Sequence, residues 1–103
     1  MPNPFEILAE ARIRDWQRRK DRGELPSTVP DAPGESLELQ LLHQITELIA
    51  RIPHAEPAEQ VRLERESRNL EIRLMVTLEG NGLPLAARRI AAELESIRAR
   101  HRP

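Results

Sequence analysis

Apolar residues recur along this chain at spacings of three and four in four runs, and proline- or glycine-bearing stretches separate the runs. From about Ser36 to Ile52, Leu41, Ile45, Leu48 and Ile52 form one stripe flanked by Leu42 and Ile49. From Pro57 to about Glu79, Leu63, Leu70, Leu74 and Leu78 fall in line, with Met75 beside them. In the last run Leu83, Ala87, Ile90, Leu94 and Ile97 repeat the spacing from Pro84 onward, with Ala91 alongside. Such stripes cover one face of an α-helix and must lie against a core or a partner helix. No stretch shows the period-two alternation of a strand, so the expected fold class is all-α.

The first run, "NPFEILAEARIRDWQRRKDRGEL" over 3–25, carries its own end signals. Asn3 is placed to cap a helix, Pro4 suits its first turn, and Glu6 at the third helical position completes a capping-box pattern. Arg22 near the end favours the negative pole of the helix dipole, and Gly23 supplies a stop. The chain's two aromatic residues, Phe5 and Trp16, are eleven positions apart. At ~100° per residue they point within about 20° of each other. Ala9 and Ile13 lie between them and Leu8 on the flank, which gives an amphipathic helix with an aromatic-ended stripe.

The connector "GELPSTVPDAPGES" (23–36) is long and rich in proline, whereas "PHAEP" (53–57) and "GNG" (80–82) are short. Short turns make consecutive helices antiparallel neighbours. The expected architecture is one domain over 1–103: a small antiparallel bundle of three helices over 36–100, with an N-terminal amphipathic helix (1–22) tethered through 23–35. Ala86, Ala87, Ala91 and Ala92 mark where the last helix approaches its neighbours most closely. Leu74 is expected in the core opposite Ile45 or Leu48, and one glycine of "GNG" is expected at positive φ.

Composition narrows the function classes. The chain has 103 residues, no cysteine, and a formal net charge of -1 from 16 basic and 17 acidic side chains. Disulfides, thiolate metal sites and cysteine nucleophiles are excluded. The charge balance argues against a dedicated nucleic-acid binder, which carries a basic excess. No apolar run approaches the ~18–20 residues that span a bilayer, and no signal core opens the chain, so the expected setting is cytoplasmic, without membrane contact.

Candidate chemistry is sparse. His43, His54 and His101 show no i, i+4 pairing and no HExxH motif, so neither metal nor cofactor is expected. Glu64, Glu66, Glu71, Glu93 and Glu95 supply the material for a carboxylate site, the enzyme alternative. Each has arginine neighbours, such as Glu64 with Arg68 at i+4, and reads as a solvated helix face. The serines lie outside any GxSxG turn. The basic run "RRKDR" (18–22) is the sharpest nucleic-acid candidate, with Arg14, Arg18, Arg19 and Arg22 as its contacts. Acidic residues interleave with it, however, and phosphate binding needs several uncompensated cations on one face. The same acids break the basic polar face that a surface-lying membrane helix uses.

Ala9, Glu10 and Ile13, then Gly23, Glu24 and Leu25, then a Pro/Gly loop, two antiparallel helices and a short last helix follow a known order. The order resembles a small bacterial domain of unknown function that also occurs beside J-domains in a DnaJ-related C subfamily. The stretch from Ile13 to Gly23 is about one turn longer than that family's. No HPD tripeptide occurs, so the resemblance is to the companion domain and not to the J-domain that stimulates Hsp70 chaperones. It implies a chaperone-associated setting, and the family has no established catalytic role to carry over.

The expectation from sequence is therefore a non-catalytic protein–protein interaction domain. Its N-terminal helix contacts a protein partner or a second copy through Phe5, Leu8, Ala9, Ile13 and Trp16.

Overall fold

The computed structural model describes residues 3–23 and 36–101, so most of the expected connector, from residue 24 onward, lies outside the described residues. Four helices follow in order: α1 (Pro4–Asp21), α2 (Leu37–Arg51), α3 (Pro57–Gly80) and α4 (Pro84–His101), with a single 3₁₀ turn at Ile52–His54 between α2 and α3. No strand occurs among the described residues, and the fold is all-α. No helix among them is long and apolar enough to cross a membrane.

Local chemistry fixes the helix ends. The Asn3 side chain accepts the Glu6 backbone N–H at 2.9 Å, and the Ser36 hydroxyl accepts that of Leu39 at 3.2 Å. Pro4, Pro57 and Pro84 each sit first in their helices, where a missing N–H costs nothing. At the end of α3 the Leu83 N–H donates to the Leu78 carbonyl at 2.9 Å and the Gly82 N–H to that of Glu79 at 3.1 Å. These two bonds make a Schellman motif, which needs a left-handed residue at its turn. Gly82 takes that place at φ +79°, while Gly80 is still helical.

Buried side chains from all four helices form one apolar cluster. Leu41, Leu42, Ile45 and Ile49 come from α2, Leu74 and Leu78 from α3, and Ile90 and Leu94 from α4. Ala86 and Ala87 are buried as expected, but Ala91 is only half-buried and Ala92 is exposed, because α4 turns that part of its alanine face outward. α2 packs along α3, and α3 along α4, as the short turns require.

α1 adds Ile7 and Leu8 to the same cluster, each 2 % exposed. The core therefore extends beyond the residues 36–100 assigned to it from sequence. α1 lies on α4 and α2. It runs antiparallel to α2, since Phe5 stacks on His43 with ring centroids 4.6 Å apart while Arg12 reaches Ser36 at 3.3 Å. Arg12 is thus level with the start of α2. The rest of α1, to Asp21, continues ~14 Å past that point at 1.5 Å per residue.

Two outcomes test this packing. Leu74 is fully buried, so Leu74→Ala is expected to cost about 2–5 kcal/mol in urea unfolding; a change under about 0.5 kcal/mol would contradict the assignment. A Cβ at Gly82 or Gly80 meets nothing within 4 Å, so backbone conformation alone decides. Gly82→Ala should destabilise by about 1 kcal/mol and Gly80→Ala should stabilise by a similar amount; equal effects at both would contradict the turn.

Candidate functional site

The acidic clusters of α3 and α4 hold the material for catalysis. Where α3 faces α4, Glu64 accepts from Arg68 Nε at 3.0 Å, as the i+4 spacing requires, and Arg68 Nη1 reaches Glu95 at 2.5 Å. Arg98 lies beneath them with its side chain only 2 % exposed. Its Nη1 donates to Glu71 at 2.6 Å and to Glu95 at 2.9 Å, and its Nη2 to the buried Ser67 hydroxyl at 3.3 Å. Arg98 Nε is buried without a hydrogen-bond partner among the described residues, with Glu64 Oε1 3.9 Å away.

At Glu95 this network does the opposite of what a general acid needs. Burial pushes the Glu95 carboxyl up, but the hydrogen bonds and charges of Arg68 and Arg98 outweigh it and hold the group below the usual glutamate range. Burial likewise disfavours the Arg68 charge, and Glu95 with Glu64 more than restores it. A general acid at neutral pH requires a carboxyl raised by desolvation. Glu66 is exposed and Glu93 half-buried, and neither joins the network. His43 and His54 are exposed on α2 and in the 3₁₀ turn, and His101 is exposed at the end of α4. No three potential metal ligands converge among the described residues.

The candidate residues of α1 are divided by the docking of that helix. The side that packs is Pro4, Ile7, Leu8 and Ala11, and of the aromatic-ended stripe Phe5 packs against the core. Trp16 is five positions from Ala11, ~140° around the helix. Leu8 is accordingly a core residue, which removes it from any partner surface, and Phe5 is half-buried against the cluster and His43. Ala9 and Ile13 are exposed, Ile13 by 45 %. Trp16 is half-buried, with the Lys20 ammonium 5.2 Å from its ring centre.

The basic residues are divided too. Arg19 and Arg18 share Asp15, at 3.1 and 3.5 Å. Arg14 and Arg18 turn toward α4, where they meet Arg88 and Arg89 around an open groove of about 730 Å³. Its apolar wall is built from Ile7 and Ala11 of α1 and from Leu83, Leu85 and Ala86 at the start of α4, with Asp21 as its acidic residue. Leu85 is 71 % exposed. Arg14, Arg88 and Arg89 form no ion pair with another described residue. The groove exists because α1 overhangs: its first half seals the core and its second half stands beside the first turns of α4.

Sequence reasoning missed Ile7, Arg98, Arg88 and Arg89. Arg98 is four residues from Leu94 and eight from Ile90, on the buried stripe, so its burial was open to detection. The adjacent Arg88 and Arg89 gave no signal without knowing that α1 returns beside them.

The lowered Glu95 carboxyl has a consequence for acid stability. Its contribution is fully present above the unfolded value of about 4.3 and is lost as pH falls through the lowered folded value. Glu95→Gln should therefore flatten the loss of thermal stability below about pH 4.3 while retaining the remaining acid slope. Superimposable pH profiles for variant and wild type would contradict the pairing.

No family model, no curated protein and no solved structure matches this chain.

Proposed function

We propose that this chain is a non-catalytic protein–protein interaction domain whose partner surface is the groove between the second half of α1 and the start of α4. One observation carries the reading. α1 is held on its own bundle by Ile7, Leu8 and Ala11, yet its remaining length leaves an apolar-walled groove with Leu85 exposed at its edge. Binding sites are concave and mostly apolar, with a few polar or charged groups at fixed places. The α3–α4 carboxylates support the same reading, because arginine pairing leaves them acceptors of structural bonds. The resemblance to a domain found beside J-domains points to a chaperone-associated role in the cytoplasm.

Relative to the sequence expectation, the contact surface moves around α1 from the Phe5–Trp16 stripe to the side carrying Ala11, Arg14 and Arg18. Ile13 and Trp16 are not among the residues that line the groove. The nucleic-acid reading keeps Arg14 and Arg18 but lacks aromatic residues inside the groove on which bases would stack.

A photo-crosslinking amino acid placed at Leu85 in the native cell tests the reading, with Ala58 at the start of α3 as the control position. A discrete protein adduct at position 85 and none at 58 is expected. Nucleic-acid adducts at 85, or the same adducts at both positions, would overturn it.

A further inference from the structure

The groove also carries information about the chemistry of its occupant, and this step rests on the interaction reading above. The whole chain has a formal net charge of -1. Against that background four arginines, Arg14, Arg18, Arg88 and Arg89, gather around one groove that holds a single aspartate. They come from both walls, two from α1 and two from α4, so positive charge flanks the apolar floor on either side. Of the four, Arg18 forms an ion pair with a described residue, Asp15 at 3.5 Å, which it shares with Arg19. The other three form no ion pair with a described residue.

An apolar floor between two cationic rims is complementary to a segment with an apolar stripe and acidic flanks. The floor argues against nucleic acid, since a phosphate backbone drawn to the arginines would leave Leu85 uncovered, and the groove has no aromatic side chain for bases. The all-α fold offers no sheet edge among the described residues to pair with an extended peptide. A peptide that lies in the groove as a helix satisfies its backbone hydrogen bonds internally and needs no backbone partner from the protein. The small Ala11 and Ala86 let a third helix approach the two walls closely. From Ile7 to Asp21 the α1 wall is ~21 Å long, the length of about four helical turns.

We infer that the α1–α4 groove binds an acidic amphipathic helix of about four turns, whose apolar stripe covers Leu85 and Ala11 and whose Glu or Asp flanks pair with Arg14, Arg88 and Arg89. Affinity comes from the apolar floor, and selectivity from the rims. Exposed pairs each contribute little, but several together discriminate by about tenfold. They also reject a segment with basic flanks.

Three synthetic helical peptides with one shared apolar stripe test the inference, their flanking positions filled with Glu, Gln or Lys. A single-stranded and a duplex oligonucleotide complete the panel. Binding to the full chain is measured by calorimetry at low and high salt, and the site is located by amide chemical-shift changes. The Glu peptide is expected to bind about tenfold more tightly than the Gln peptide, with a salt-dependent advantage and shifts at Ala11, Gly82 and Leu85. An Arg88→Glu/Arg89→Glu variant, its fold checked by melting, should lose that advantage and accept the Lys peptide. Equal affinity for the Glu and Gln peptides, tighter binding of an oligonucleotide, shifts located elsewhere, or no binding of any peptide would each overturn the acidic-helix inference. A protein adduct at position 85 combined with any of these would leave the interaction reading standing and remove the acidic-helix inference.

Discussion

The insertion of Ile7 and Leu8 into the cluster formed by α2, α3 and α4 is the contact on which the rest depends. It closes the side of the bundle where α2 and α4 meet. It also fixes the rotation of α1, and through that rotation decides which side chains face the protein and which face solvent. With Ile7, Leu8 and Ala11 inward, Arg14 and Arg18 point along α4 and Trp16 is carried to the side. A helix free to roll would have no defined groove. Two fully buried aliphatic side chains are worth roughly 1.5–3 kcal/mol each, enough to hold an 18-residue helix whose own propensity is marginal at that length.

A second constraint sits on the opposite flank of α4. Arg98 is drawn into the α3–α4 contact and meets Glu71, Glu95 and Ser67 there. Burying one guanidinium is costly unless its donors are matched, and such a contact fixes the register of two helices more strictly than leucine packing would. Asn81 donates to the buried Glu38, which ties the turn after α3 to the first turn of α2. Arg98 thus anchors the last turns of α4 against α3, and the Asn81–Glu38 bond anchors the turn from which α4 starts, so the helix that forms one wall of the groove is held at both ends.

Much of the fold was legible in the sequence for local reasons. The caps at Asn3 and Ser36, the first-turn prolines and the glycine after α3 act within a few residues of themselves, and the stripes of α2, α3 and α4 are long enough to define their inner faces. The face of α1 was not legible in the same way. Phe5 and Trp16 drew attention as the largest apolar side chains, yet only the first half of α1 overlies the bundle, so Trp16 lies beyond the start of α2 whatever its hydrophobicity. The smaller Ile7–Leu8–Ala11 patch wins because it is where the other helices are. The groove was illegible for a related reason: Arg14 and Arg18 are separated from Arg88 and Arg89 by some seventy residues of sequence, and only the antiparallel return of α4 brings them together.

Native-state hydrogen exchange resolved along α1 is the most direct test of that docking. If Ile7 and Leu8 make α1 part of one cooperative unit, its amides from Leu8 to Asp15 exchange with the same opening free energy as those of Ile45 to Ile49 in α2, to within about 0.5 kcal/mol, and with the same denaturant dependence. Exchange of the α1 amides through a separate opening, several kcal/mol below that of α2 and insensitive to denaturant, would contradict it. α1 would then be a detachable helix, and the groove would have only one fixed wall.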